Sequence, residues 1–189
     1  MSSPLTPLAL AAIALLVERP MHPYEMYQLL LERRDGHVMK VRAGSLYHAI
    51  ERLDRDGLVT AVGTDRAGNR PERTTYALTD AGRSALHASV TEMLRTPVNE
   101  FPRFAVALNE AHNLSLEEAV VLFEQRRTAL DAEISELTTI IESARGRAVD
   151  EAYWFVADYR RTVLAAERDW LDRIIDRLRT KDLTWPHPA

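Results

Sequence analysis

The side chains whose types and spacing invite a chemical reading lie between residues 40 and 73. Ser45, His48 and Arg52 fall at i, i+3 and i+7, so they share one face if their segment is a helix. Hydroxyl, imidazole and guanidinium groups can donate to base edges or to phosphate oxygens. Gly44, just ahead of them, would let a helix N-terminus approach a phosphate closely. Lys40 and Arg42 precede the segment and would meet a nucleic-acid backbone, while Tyr47 and Glu51 fall on its flank. A second polar cluster, Arg66, Asn69, Arg70 and Arg73, suits phosphate or minor-groove contacts, which position a protein on DNA without specifying sequence.

Other chemistry finds no constellation. There is no cysteine, which removes disulfides, thiol catalysis and thiolate metal sites, and fits a reducing cytoplasm. His22, His37, His48, His87, His112 and His187 are scattered, with no paired-histidine metal spacing, so neither a metal nor another cofactor is expected. Gly63 to Gly68 lacks the Lys-Ser/Thr pair of a phosphate loop, and no serine sits in a nucleophile elbow. The chain reads as a non-enzyme.

The elements that must hold the basic face can be read from periodicity and caps. Thr6-Pro7 starts a helix that Pro20 stops near Glu18, and His22-Pro23 starts a second, Tyr24 to Arg34, with Gly36 as its terminal glycine. A third begins near Ala43. Its apolar residues Leu46, Ala49, Ile50 and Leu53 make one buried stripe, and Gly57 ends it. Rotation away from that stripe exposes Ser45, His48, Arg52 and Arg55. Leu58–Val62 and Thr74–Leu78 are strand-like, and the turn formers from Gly63 to Pro71 between them make a hairpin. Thr79 or Asp80 then caps a fourth helix to about Leu94.

This order, three helices, a hairpin and a helix, is that of a winged helix-turn-helix, whose third helix enters the major groove of double-stranded DNA while the wing touches the backbone. A polar helix face alone is most often a solvated surface, but an arginine-bearing hairpin directly after it favours DNA. The rival reading is a helical interaction protein whose winged domain binds protein instead.

The bulk numbers allow this. The 189 residues are 46% apolar and 28% charged, the make-up of an ordinary globular protein. The net charge of −4 counts mildly against nucleic acid, but it is uneven: residues 1–95 hold 12 basic and 11 acidic side chains, residues 96–189 hold 12 and 17, and residues 33–73 hold 9 and 6. A local patch can bind phosphates within an acidic protein. The apolar run Leu8 to Val17 is too short to span a bilayer, and no positive charge precedes it, so a buried helix in a cytoplasmic protein is expected.

Thr96-Pro97 marks a break, giving residues 1–95 as the winged domain and 96–189 as a helical dimerisation and possible effector-sensing domain. A short helix is expected from Arg103 to His112. Ser115 and Glu118 form a capping box that opens a long helix to about Ala144. Leu116, Val120, Phe123, Leu130, Ile134, Leu137 and Ile141 alternate at four and three, with Arg127 in the slot that breaks the pattern. A last helix is predicted from about Val149 to Arg179, with Val149, Val156, Val163 and Trp170 repeating every seven residues. Two antiparallel helices of about 45 Å cannot hide such stripes in a small monomer, so a second copy is the simplest cover.

Several stretches carry a family resemblance. Gly44-Ser45-Leu46-Tyr47-His48-Ala49-Ile50-Glu51-Arg52-Leu53 with Asp56-Gly57-Leu58-Val59, then His22-Pro23-Tyr24-Glu25-Met26 and Tyr76-Ala77-Leu78-Thr79-Asp80-Ala81-Gly82, resemble the PadR-like transcriptional regulators. Pro97-Val98-Asn99-Glu100-Phe101-Pro102 and the two long helices resemble that family's C-terminal domain, and Pro23 stands where the family often has glycine. The resemblance implies a mainly α fold with a small β-hairpin wing. It further implies a homodimer held by the C-terminal helices, a palindromic operator, usually repression, and Tyr47 as a phosphate contact. Release by a small, often aromatic, effector is implied too. The candidate contacts for it are Phe101, Phe104, Tyr153, Trp154, Phe155, Tyr159 and Trp170, although aromatics at helical spacing equally serve as core or subunit interface.

Overall fold

A computed structural model describes residues 5–65 and 73–186. They divide into two compact units, Met1–Asn99 and Glu100–Ala189.

The first unit runs α1 (Pro7–Glu18), α2 (Pro23–Glu32), α3 (Ala43–Arg55), β1 (Val59–Asp65), β2 (Arg73–Leu78) and α4 (Asp80–Arg95). Both helix starts are capped by a side chain. Thr6 Oγ1 accepts from Ala9 N–H at 3.3 Å, and His22 Nδ1 accepts from Tyr24 N–H at 3.0 Å. Its core is built by Ala9, Ala12, Ile13 and Leu16 of α1, Met26 and Leu30 of α2, and the whole expected stripe of α3, Leu46, Ala49, Ile50 and Leu53. Burying each large aliphatic side chain contributes about 1.5–3 kcal/mol, so the stripe anchors α3 with its other face outward.

The wing is an antiparallel hairpin pinned to the chain before α2: Met21 and Tyr76 exchange both backbone hydrogen bonds at 3.0 Å. Its register pairs Val59 with Leu78 and Ala61 with Tyr76, then slips so that Gly63 meets Thr75, leaving Val62 as a bulge. Two boundaries differ from the sequence expectation. Gly63-Thr64-Asp65 belongs to β1, not to the loop, and Leu58 precedes the strand. The end of α2 is also different. Arg34, not Gly36, takes the left-handed conformation (φ 59°), and Gly36 lies inside a short 3-10 turn, Asp35–His37. At the end of α3 the glycine does what its type allows: Gly57 sits at φ 72°, and Leu58 N–H closes back to Leu53 C=O at 2.9 Å.

Thr79 ties α4 to the wing. Its hydroxyl caps Gly82 N–H at 3.0 Å and donates to the carbonyl of Gly57 at 2.8 Å or of Leu58 at 3.0 Å. Gly82 is buried so close to β1 that a Cβ there would lie 2.0 Å from Leu58 O.

The second unit holds α5 (Arg103–Asn109), α6 (Leu116–Gly146) and α7 (Phe155–Arg179). The capping box forms: Ser115 Oγ accepts from Glu118 N–H, and Glu118 Oε2 accepts from Ser115 N–H at 3.0 Å. α5 ends earlier than expected, with a 3-10 turn at Ala111–Asn113. α6 and α7 are antiparallel, as their ion pairs show: Glu124 with Arg179, Arg127 with Asp172, Arg126 with Glu167, Glu133 with Arg160. Arg127 thus breaks the apolar alternation because it bridges to α7, its Nε 2.5 Å from Asp172.

α7 begins six residues later than periodicity predicts. Asp150 caps a 3-10 turn at Glu151–Tyr153, and Trp154 turns inward, buried, donating from Nε1 to Val149 C=O at 3.1 Å. The repeat that faces α6 is Ala157, Leu164, Leu171 and Leu178, one position beyond the expected one. Val149 lies outside the helix, and Val156 and Val163 are 39% and 47% exposed.

Candidate nucleic-acid interface

α3 presents its face through two lateral contacts. On one flank Arg52 Nη2 reaches Thr6 Oγ1 at 3.4 Å, drawn aside toward the start of α1. On the other, Tyr47 stands edge-on to His22, ring centroids 6.4 Å apart. Between these flanks the helix turns Gly44, His48, Glu51 and Arg55 outward, and all are exposed, as are Ser45, Lys40 and Arg42. His48 Nδ1 lies 3.4 Å from Glu51 Oε2, with the two side chains 83% and 63% exposed.

The N-terminus of α3 is open. Arg42 occupies the cap position in extended conformation, no side chain caps the helix, and its first turn holds no acid. A helix start left in this state attracts anions through its free N–H groups and the positive end of its dipole. Gly44 lies on this first turn with nothing within 4 Å of where a Cβ would stand and without a positive φ. Neither packing nor backbone conformation within the chain therefore demands a glycine there.

The expected residues divide by location. Gly44, Ser45, Tyr47 and His48 are exposed on α3, Lys40 and Arg42 are exposed just ahead of it, and Arg52 lies on the α1 side. Arg73 is the first residue of β2 and pairs in register with Asp65. Arg66, Asn69 and Arg70 lie outside the described residues. The sequence reading missed Thr6: no local signal tells that a helix-capping hydroxyl 46 positions away meets Arg52.

Residues 12–88 match the family model described as "Transcriptional regulator PadR-like family". This segment belongs to the PadR-like family of transcriptional regulators. Solved structures resemble the chain well beyond the PadR-like segment. Bacillus subtilis PadR in complex with operator DNA superposes with a TM-score of 0.76 at 21% identity, over 93% of this chain and 99% of that one. Bacillus subtilis PadR in complex with p-coumaric acid gives 0.72 at 19% identity, over 94% and 98%. The Vibrio cholerae virulence activator AphA gives 0.72 at 17% identity, over 92% and 99%. At such identities these likenesses establish a shared fold, C-terminal helices included. No curated protein matches the chain.

The aromatic candidates beyond the PadR-like segment do not form one site. Phe104 packs edge-on against Trp170 at 6.3 Å, and the Arg126 guanidinium stacks 3.6 Å from the Phe104 ring centroid. Trp185, absent from the sequence expectations, joins this end of the unit: it meets Phe123 edge-on at 6.4 Å and donates to Leu114 C=O at 2.9 Å. Trp154 is closed off in the other core cluster, under Arg145. Phe101, Tyr153, Phe155 and Tyr159 are exposed. A cleft of about 500 Å³ between α6 and α7 is lined by charged side chains, among them Arg127, Asp172, Asp176 and Arg179, and by none of these aromatics. Among the described residues no group of three or more His, Asp or Glu side chains is placed to hold a metal, and no helix is long and apolar enough to cross a membrane.

Proposed function

We propose that this PadR-like protein is a cytoplasmic homodimer that binds a palindromic operator in double-stranded DNA and represses transcription until a small effector releases it. The first unit contacts DNA. Gly44 and the open start of α3 take a phosphate, with Lys40, Arg42 and Tyr47 on the same backbone. Ser45 and His48 face base edges. Arg52, held toward Thr6, contacts the strand beside α1, and Arg66, Asn69, Arg70 and Arg73 grip the backbone through the wing.

The observation that carries this reading is the pairing of an uncapped, acid-free helix start with a glycine the chain itself does not need. A helix bearing those features, anchored by a fully buried stripe and followed by a pinned hairpin, suits a duplex groove.

The second unit carries the dimer through the side of α7 on which Val156, Tyr159 and Val163 are partly exposed. The effector is a small aromatic acid, by likeness to the neighbour solved with p-coumaric acid. Of the aromatic candidates, Phe104 and Trp170 lie together with Arg126 stacked on Phe104, and an effector carboxylate there would have to compete with Glu167 for the guanidinium. The chain works by binding and has no catalytic role.

A protection assay on the DNA upstream of the protein's own gene tests the proposal. It predicts a two-fold symmetric footprint that disappears on addition of the effector, and derepression of a reporter when the gene is deleted. A bound, footprinted promoter whose reporter falls silent on deletion would make the protein an activator instead.

A further inference from the structure

The outward face of α3 carries an acid that phosphate contact cannot use. Gly44, His48 and Arg55 share this face with Glu51, which lies three residues from His48 and four from both Tyr47 and Arg55. A surface built only to hold the DNA backbone gains from a base at such a position and loses from a carboxylate. Asp54, three residues on, is also exposed, and the Tyr76 phenol of β2 is pushed up first by burial, then by Asp54 and Glu51. Arg52 lies on the α1 side of the helix.

The geometry of the His48–Glu51 pair fixes what it offers. His48 Nδ1 is 3.4 Å from Glu51 Oε2. The carboxylate of Glu51 faces the His48 ring through one oxygen, and its other oxygen is left as an acceptor. In the major groove the matching donors are exocyclic amino groups, and the carboxylate partner among them is cytosine N4.

We infer that Glu51, oriented by His48, selects a cytosine in each operator half-site by accepting from its N4 amino group. This inference rests on the reading of α3 as the helix that enters the groove. Glu51 is then a specificity-determining residue that lowers affinity for DNA in general and raises discrimination among sequences.

Selection from a pool of randomised duplexes with the full chain tests it. The wild type should select cytosine at one symmetric position per half-site, about tenfold over other bases. Glu51→Ala should lose that preference alone, keep the rest of the motif, and bind random duplex more tightly because an anion has gone. Glu51→Gln should admit adenine at the same position, since an amide matches adenine N6 and N7. If Glu51→Ala selects the wild-type sequence unchanged, the inference fails and the DNA reading stands. If that variant is folded yet loses DNA binding altogether, the inference also fails, because the residue then supports the helix and reads no base. If the wild type binds no duplex at low salt, both readings fail.

Discussion

The Tyr47 ring stands edge-on to the ring of His22, centroids 6.4 Å apart and planes at 74°. His22 is itself fixed, because its Nδ1 accepts the Tyr24 N–H that opens α2. The first turn of α2 thereby sets the direction of a side chain on α3. Tyr47→Phe keeps the ring contact and removes only the hydroxyl. It should leave the unfolding midpoint unchanged and weaken operator binding about ten- to a hundredfold, the worth of one hydrogen bond to a charged phosphate. His22→Ala removes cap and contact together. It should cost about 1 kcal/mol of stability and also weaken binding. Equal affinity of wild type and Tyr47→Phe in a fluorescence titration would remove Tyr47 from the interface.

Gly44 separates stability from binding. A Cβ there meets nothing in the chain, and alanine is the better helix former by up to about 1 kcal/mol. Gly44→Ala should therefore raise or preserve the denaturation midpoint while lowering DNA affinity at least tenfold. A variant that is more stable and binds DNA as well as wild type would show that no phosphate approaches this turn.

Gly82 is the opposite case. A Cβ 2.0 Å from Leu58 O cannot be accommodated without moving α4 from the backbone that leads into β1. Gly82→Ala should destabilise the first unit by about 1–3 kcal/mol, read by urea unfolding. Thr79→Ala should cost about 1 kcal/mol or more through the lost cap and its bond to the β1 approach. No loss of stability in Gly82→Ala would mean that α4 does not pack on β1 as described.

How much of this was legible in the sequence depended on how local the cause was. The caps at Thr6, Thr79 and Ser115 are local chemistry and act as their residue types predict, and the Pro23 that follows His22 marks the start of α2. The α3 stripe was equally plain, because four apolar residues at helical spacing leave a single face to bury. Rotation alone places Arg52 among the exposed residues, and its approach to Thr6, 46 residues away, is a tertiary contact no local signal carries. The start of α7 was misplaced because Val149 fits a seven-residue repeat, while the burial of Trp154 against α6 is tertiary and breaks it. Arg34 takes a left-handed conformation with Gly36 two residues away, a choice no glycine rule anticipates. Trp185 bonds to Leu114 across 71 residues, and nothing near it in sequence marks that role.

The exposed side of α7 gives a prediction about assembly. Tyr159 and Val163 are largely or half exposed, whereas Leu171 and Leu178, on the repeat that faces α6, are buried. Tyr159→Ala with Val163→Glu should convert a dimer to a folded monomer in sedimentation velocity at micromolar concentration, with helical content unchanged. An unaltered dimer would move the interface elsewhere, and a wild-type monomer would remove it.

The central claim, that α3 and the wing hold DNA, is tested most directly by the salt dependence of binding. Affinity of the full chain for a duplex from its own upstream region, measured without effector across a series of salt concentrations, should fall steeply on a log–log plot. Arg70→Ala and Arg73→Ala should each weaken binding and flatten that slope by about one. Undetectable binding at low salt, or a slope that neither substitution changes, would contradict the account.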